Sequence, residues 1–238
     1  MFRKLFNLSK SNENVTVKLE SNHEYCESSP DFQSPIGATN DDHTSLDYIK
    51  DLESYFKNRK INYLELGCAG GRIVMDLLKR GHHAFGIEGT PYPRQIGRRA
   101  WKKYYQTNLF NCDLSKPFHI YDHNGNIMQF DVISHWEFIE HLPPSCLPYF
   151  ISKLYTLLRP SGIMCCGISS SYAPPHHQSQ FSKEEWIENY FKHLFDVQDY
   201  FFKHKLRIDG GSFYVILTKK AKVEWDIAKI IEEYERQD

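Results

Sequence analysis

Two acidic side chains and a histidine stand close together in the sequence, at Glu137, Glu140 and His141. Positions i, i+3 and i+4 share one side of a helical turn, so both carboxylates and the imidazole would lie near one another. Such groups bind divalent cations, and a neutral imidazole also accepts protons. The later pair His176 and His177 could add a ligand or a base. We predict Glu137, Glu140, His141 and His176 as metal ligands, and Glu137, His141, His176 and His177 as catalytic residues.

These residues also have a simpler interpretation. A Glu-His pair after a strand can cap backbone groups or line a ligand site without any metal. The adjacent His176 and His177 could equally be a solvated pair in a loop. The residues alone leave both interpretations open.

A glycine-rich turn precedes this cluster in the chain. The apolar run at 62–66 breaks at Gly67, and a helical pattern follows at 73–78. Glycines let a ligand approach the backbone closely, and free amides at a helix start favour polar groups. A dinucleotide fingerprint would need glycines two and five residues after Gly67, where Ala69 and Arg72 stand. The turn therefore predicts a nucleotide site of another kind.

The form of the turn is E-x-G-x-(G/A)-x-G, given by Glu65, Gly67, Ala69 and Gly71. It resembles motif I of the class I S-adenosylmethionine-dependent methyltransferases. The resemblance implies an α/β, Rossmann-like, doubly wound fold. Its sheet would be mostly parallel and seven-stranded with an antiparallel last strand, and helices would cover both faces.

The resemblance continues in register over roughly residues 60 to 220. A second strand ends at Glu88, about 20 residues on, where such folds place a ribose-binding acid. Asp113 resembles the acid that accepts from the adenine amine, and His135 and Trp136 would form a floor under the donor. The implied cofactor contacts are Glu65, Gly67, Cys68, Ala69, Gly70, Gly71, Glu88, Gly89, Asp113, Leu114, His135 and Trp136.

The E-x-x-E-H motif at 137–141 resembles small-RNA 2′-O-methyltransferases and the O-methyltransferases of ubiquinone biosynthesis. This implies methyl transfer from S-adenosylmethionine to an oxygen, with Mg²⁺ or Mn²⁺ as the ion if a metal is used. We expect a sugar, a glycan or a similar small hydroxylated acceptor. RNA 2′-O-methylation is the alternative, favoured by the basic, aromatic stretch at 91–105, which could also be a solvated helix face. A non-catalytic S-adenosylmethionine-binding scaffold is a third interpretation.

The elements that position these residues follow from apolar spacing and turn residues. We divide the chain into an irregular N-terminal arm at 1–42, a methyltransferase domain at 43–221 and a C-terminal amphipathic helix at 222–238. Helices are predicted at 44–58 and 143–158, and a hairpin with a glycine turn at 209–211. The terminal helix either packs on its own domain or contacts a second copy in a homodimer.

Composition excludes several other classes. The chain of 238 residues has a formal charge of −1, so no global basic field indicates nucleic acid as the main partner. Its six cysteines lack C-x-x-C spacing, which predicts reduced thiols. No stretch approaches the roughly 20 apolar residues of a membrane helix. We expect a cytoplasmic protein with no membrane association.

Overall fold

The computed structural model describes residues 15–32, 46–198 and 211–238. The strands are β1 (Val17–Glu20), β2 (Asn62–Leu66), β3 (His83–Glu88), β4 (Leu109–Asn111), β5 (His119–Asp122), β6 (Phe130–Trp136), β7 (Leu158–Ser169), β8 (Phe195–Gln198) and β9 (Ser212–Lys219). The helices are α1 (Leu46–Tyr55), α2 (Arg72–Lys79), α3 (Tyr92–Gln95), α4 (Trp101–Tyr104), α5 (Leu147–Leu157), α6 (Lys183–Asn189) and α7 (Ile227–Glu235).

Seven strands form the main sheet in the order β4-β3-β2-β6-β7-β9-β8. Pairing is parallel from β4 to β7, while β9 runs antiparallel to both of its neighbours. The strand order reverses beside β2, and in open sheets of this kind ligands bind outside the carboxyl ends of the strands at that point. The predicted fold class is confirmed, including the antiparallel last strand.

Apolar side chains of alternate strand residues make two cores, one on each face of the sheet. One core joins the sheet to α1 and α2 through Ile49, Leu52, Val74 and Leu77. The other joins it to α5, α6 and α7. The sheet is therefore covered on both faces, as parallel strands require.

The structure differs from the predicted elements in two places. The arm contains a strand, β1, which pairs antiparallel with β5 in a separate two-stranded sheet. The stretch at 91–105 forms two short helices rather than one, separated by Gly97 at a φ of +60°. The first two residues of the helix predicted at 44–58 and most of the turn predicted at 209–211 lie outside the described residues, and the domain boundaries stay predictions.

The terminal helix α7 packs on its own domain. Tyr234 stacks on Tyr149 of α5 with ring centroids 4.4 Å apart, and its hydroxyl donates to the Ser115 carbonyl at 2.6 Å. Lys153 pairs with Glu235 at 3.2 Å. Within the described ranges, no helix is long and apolar enough to cross a bilayer.

Replacing Tyr234 with alanine should destabilise the protein by about 2 kcal/mol, since it removes an aromatic stack and a hydrogen bond. Urea unfolding would measure the change. Tyr172→Ala is the matched control, because Tyr172 is 83% exposed and should lose almost nothing. Equal stability of both variants would contradict the docking of α7 through this residue.

Candidate active site

The glycine turn after β2 is held in a shape that few residue types can adopt. Gly67 and Gly71 have φ values of +68° and +73°, in the left-handed region that favours glycine. A Cβ at Gly67 would lie 2.6 Å from the Phe138 ring, and one at Gly71 would lie 2.8 Å from Leu109. Both the backbone conformation and the packing of Phe138 and Leu109 therefore require glycine at these two positions.

Hydrogen bonds from two neighbouring segments fix this turn. The amides of Gly67 and Cys68 donate to the Ile87 carbonyl at 2.9 and 3.1 Å. The Trp101 indole donates to the Ala69 carbonyl at 2.6 Å, and the Ala100 amide donates to the Gly70 carbonyl at 3.1 Å. Sequence reasoning missed this role of Trp101, which is buried beneath the turn instead of exposed on the basic stretch.

Glu88 ends β3 beside the turn, as predicted. Its Oε2 accepts from the Ala69 amide at 2.9 Å and its Oε1 from the Thr90 amide at 3.1 Å. Burial raises the pKa of this carboxyl, while the two amides oppose that shift. Each carboxylate oxygen keeps a further lone pair, so Glu88 can accept from a pair of ligand hydroxyls.

Asp113 lies beyond β4 at the same sheet edge. Its Oδ1 accepts from the Ser115 amide at 2.9 Å and the Ser115 hydroxyl at 2.6 Å, which fixes the carboxylate. The next residue, Leu114, is buried. Gly89 meets the N-terminal arm, since its carbonyl accepts from the Cys26 amide at 3.0 Å. The carboxyl ends of β3 and β4 thus form one rim of the candidate site, which carries Glu88, Gly89, Asp113 and Leu114.

Glu65 lies on the sheet face that carries α1. It pairs in register with Gly86 and Ser134, and the Ser134 and Tyr63 hydroxyls hydrogen-bond to each other at 2.5 Å. Trp136 points to this side as well, with its ring 5.3 Å from Tyr48. Because neighbouring strand residues face opposite ways, His135 belongs to the other face.

His135 is fully buried beside Phe138, at a ring distance of 6.3 Å. Both ring nitrogens lack a hydrogen-bond partner among the described residues, and burial lowers the pKa to about 3. The ring is therefore neutral. The structure does not bring His135 and Trp136 together as one floor.

The acidic residues of the E-x-x-E-H motif have separate partners. Glu137 has a φ of +49° and its Oε1 accepts from the Ser212 hydroxyl at 2.6 Å. Glu140 is fully buried, and its Oε1 accepts from the Ser169 amide at 2.8 Å. Its Oε2 is also buried and has no hydrogen-bond partner in the described part of the chain. The 3₁₀ turn Ile139–His141 thus turns the two carboxylates to different surroundings.

Three potential metal ligands do meet, namely Glu140, His141 and His177. Their ligand atoms all lie within 4.8 Å of one another. The rings of His141 and His177 are 4.9 Å apart. The group shares Glu140 and His141 with the predicted metal set, but His177 takes part while Glu137 and His176 do not.

A residue of the N-terminal arm enters this site. Asp31 accepts from Nδ1 of His141 at 2.6 Å through one carboxylate oxygen, and from Nδ1 of His176 at 2.7 Å through the other. The Nδ1 of His177 donates to the Ser171 carbonyl at 2.8 Å. All three histidines therefore have Nδ1 engaged, and each neutral ring keeps its lone pair on Nε2.

Burial and charge act against each other in this cluster. Burial raises the pKa of Glu140 to about 7, although the charge of His141 opposes the shift. Burial alone lowers the pKa of His141, but the hydrogen bond to Asp31 and the charges of Glu140 and Asp31 outweigh it and raise the pKa. Burial alone raises the pKa of Asp31, yet its two histidine partners lower it overall. Asp31 is therefore ionised near neutral pH.

The basic stretch is partly neutralised within the protein. Arg94 pairs with Glu24 of the arm at 2.7 Å and lies over the Tyr105 ring at 4.7 Å. Lys102 and Lys103 are exposed. Fewer of its charges are available to a phosphate backbone than the sequence indicates.

Solved structures share this arrangement of strands. A TehB-like S-adenosylmethionine-dependent methyltransferase from Corynebacterium glutamicum is 18% identical with a TM-score of 0.55, over 79% of this chain and 94% of that one. The 1,6-didemethyltoxoflavin-N1-methyltransferase of Burkholderia thailandensis, solved with S-adenosylhomocysteine, is 17% identical with a TM-score of 0.54. That match covers 79% of this chain and 85% of the other. At such identities the likeness shows the fold.

Curated relatives match a shorter region. The ubiquinone biosynthesis O-methyltransferase of Pasteurella multocida is 28% identical over 125 residues, which are 50% of this chain and 50% of the relative. The protein of the same name from Histophilus somni is 29% identical over 126 residues, 51% of this chain and 49% of its own. The chain therefore spans about half the length of the curated relatives it matches.

The order and direction of the strands are thus those of solved methyltransferases. The profile of a methyltransferase domain family matches residues 41–205, and the chain belongs to that family. This membership favours an enzyme over a non-catalytic scaffold.

Proposed function

We propose that this enzyme moves a methyl group from S-adenosylmethionine to a hydroxyl oxygen of a small acceptor with two adjacent oxygens. A sugar, a glycan end or a catechol-like ring has this chemistry. The observation that carries the proposal is the cluster of Glu140, His141 and His177 at the carboxyl edge of the sheet, with its buried, partnerless carboxylate oxygen. The names of the curated relatives agree with transfer to oxygen.

The donor would lie across the glycine turn. Glu88 would accept from the two ribose hydroxyls, and Asp113 would accept from the adenine amine. The glycines and the small Ala69 of the turn at 67–71 would let the methionine part approach the backbone closely. When bound, S-adenosylmethionine supplies an electrophilic methyl group on a sulfonium sulfur.

The residues at the cluster fit a divalent cation. Glu140 would offer its buried Oε2, and His141 and His177 would each offer Nε2, because Nδ1 is engaged elsewhere. A bound cation would hold adjacent acceptor oxygens and lower the pKa of the reacting hydroxyl. Two imidazoles and one carboxylate suit Mn²⁺ better than Mg²⁺, which prefers oxygen ligands.

His176 is the general base in this proposal. Its Nδ1–H is bound to ionised Asp31, so the neutral ring carries its lone pair on Nε2. As the acceptor oxygen bonds to the methyl carbon, the carbon–sulfur bond breaks and the hydroxyl proton moves to that nitrogen. The products are the methylated acceptor and S-adenosylhomocysteine, and His176 returns the proton to water.

Calorimetric titration of chelator-treated protein is the direct test. We expect S-adenosylmethionine to bind with or without metal, and a vicinal diol or catechol to bind and be methylated only after Mn²⁺ is added. Metal affinity should rise from pH 6 to 8, since binding needs ionised Glu140, with a pKa of about 7, and neutral His141. Equal acceptor methylation without metal would contradict the metal role, and no donor binding would overturn the proposal.

RNA 2′-O-methylation is the second candidate, favoured by the exposed Lys102 and Lys103. Short RNAs belong in the same titration. Methylation of RNA with strongly salt-dependent binding, and none of the small acceptors, would support that alternative.

A further inference from the structure

One carboxylate from the N-terminal arm connects two histidines that lie 35 residues apart in sequence, at 141 and 176. Asp31 is a member of the 3₁₀ turn Pro30–Phe32 and is more than 100 residues from both of its partners. Its two oxygens are used separately, one for each ring. A carboxylate that bridges two imidazoles in this way restricts the rotation of both rings.

The same contacts determine which nitrogen of each ring carries hydrogen. An ionised carboxylate only accepts hydrogen bonds, so both Nδ1 atoms must be donors. In the neutral rings the lone pairs are then on Nε2. Histidines that bind metals or move protons commonly have their other nitrogen fixed in this manner by a carboxylate.

The arm is anchored where it crosses the donor site, so the placement of Asp31 does not rest on its own two bonds. The His23 carbonyl accepts from the Asp113 amide at 2.9 Å, and the Cys26 amide donates to Gly89 at 3.0 Å. Glu24 pairs with Arg94. Three contacts upstream therefore hold the segment over the rim that carries Glu88 and Asp113.

We propose that Asp31 is a positioning residue, which holds His141 and His176 in the Nδ1–H tautomer and presents their Nε2 atoms to the acceptor side. One arm residue would thereby orient a metal ligand and the general base together. This inference rests on the proposed function for the roles of the two histidines. The tautomers themselves are independent of any activity.

Asp31→Asn is a sharp test, because asparagine has one oxygen and one NH₂ group. Its oxygen can keep one Nδ1–H, but its NH₂ group must donate to the other ring and force that ring into the Nε2–H tautomer. Two-bond ¹H–¹⁵N spectra of chelator-treated protein distinguish the tautomers. The spectra should be recorded well above the ordinary imidazole pKa of about 6.5, so that the rings are neutral. His141→Gln and His176→Gln assign the signals.

We expect two Nδ1–H rings at these positions in the native protein and one in Asp31→Asn. Turnover should fall by about 10- to 100-fold, with the affinity for S-adenosylmethionine unchanged. Glu27→Gln, an exposed change in the same segment, is the control and should alter neither reading. Asp31→Ala removes both acceptor oxygens and should therefore change the tautomer of both rings. It replaces the asparagine variant in this test if that variant does not fold.

The outcomes separate the two claims. Unchanged tautomers in Asp31→Asn or Asp31→Ala would overturn the positioning role, whatever happens to activity. Altered tautomers with full methyl transfer would keep Asp31 as a positioning residue and overturn the histidine roles in the proposed function.

Discussion

Replacing Glu88 with alanine is expected to weaken S-adenosylmethionine binding by about 100-fold. The complex would lose two hydrogen bonds from ribose hydroxyls to a charged acceptor, each worth roughly 1.5 to 3 kcal/mol. The lower end of that range gives about 3 kcal/mol for the pair, which corresponds to about 100-fold in affinity. The substitution would also leave the Ala69 and Thr90 amides without the carboxylate that now accepts their hydrogen bonds. Calorimetric titration with S-adenosylmethionine and S-adenosylhomocysteine measures the loss.

Glu53→Ala is the matched control for this prediction. Glu53 is also partly buried and also has two partners, Arg80 and His82, but it lies near the amino end of β3. Its replacement should cost stability and leave donor affinity intact. If both variants bind the donor as tightly as the native protein, Glu88 does not contact the ribose.

The placement of the residues proposed to bind the donor could be predicted because its determinants are local in sequence. Gly67 and Gly71 follow a buried strand directly, and Glu88 ends the next strand. Parallel strands must bring their carboxyl ends to one edge, so the prediction needed no knowledge of distant contacts. The start of α6 is local in the same way, because Ser182 and Glu185, three residues apart, form a capping box there.

The placement of the residues proposed for the acceptor side could be predicted only in part, because it depends on long-range contacts. Helical spacing places Glu137, Glu140 and His141 on one side, but the chain there forms a 3₁₀ turn preceded by a positive φ at Glu137. That backbone separates the carboxylates. Likewise, nothing in the sequence distinguishes His176 from His177 as the partner of Glu140.

Asp31 illustrates the limit most clearly. It lies in a segment without apolar periodicity, and its partners are 110 and 145 residues away. Strand β1, in the described part of the arm, pairs with β5 at a similar separation and buries few side chains. Short sequence patterns carry no information on such contacts, so the arm was predicted as irregular and its carboxylate was missed.

His141→Ala should reduce turnover by at least about 100-fold while donor affinity stays within a factor of two to three. The variant removes one proposed metal ligand and leaves Glu140 buried without a cation beside it, and it also removes one partner of Asp31. General base or metal assistance is typically worth 10²- to 10⁴-fold in rate. Transfer of a labelled methyl group, together with donor titration, separates the two effects.

His123→Ala and His176→Ala complete the experiment on His141. His123 is exposed on the loop after β5 and should have no effect on either measurement. His176→Ala should lose turnover but keep Mn²⁺ binding, whereas His141→Ala should lose both, because only His141 belongs to the cluster with Glu140 and His177. Retained turnover in His141→Ala would remove this residue from the mechanism. If His141→Ala still binds Mn²⁺, the cation does not bind at the proposed site beside Glu140.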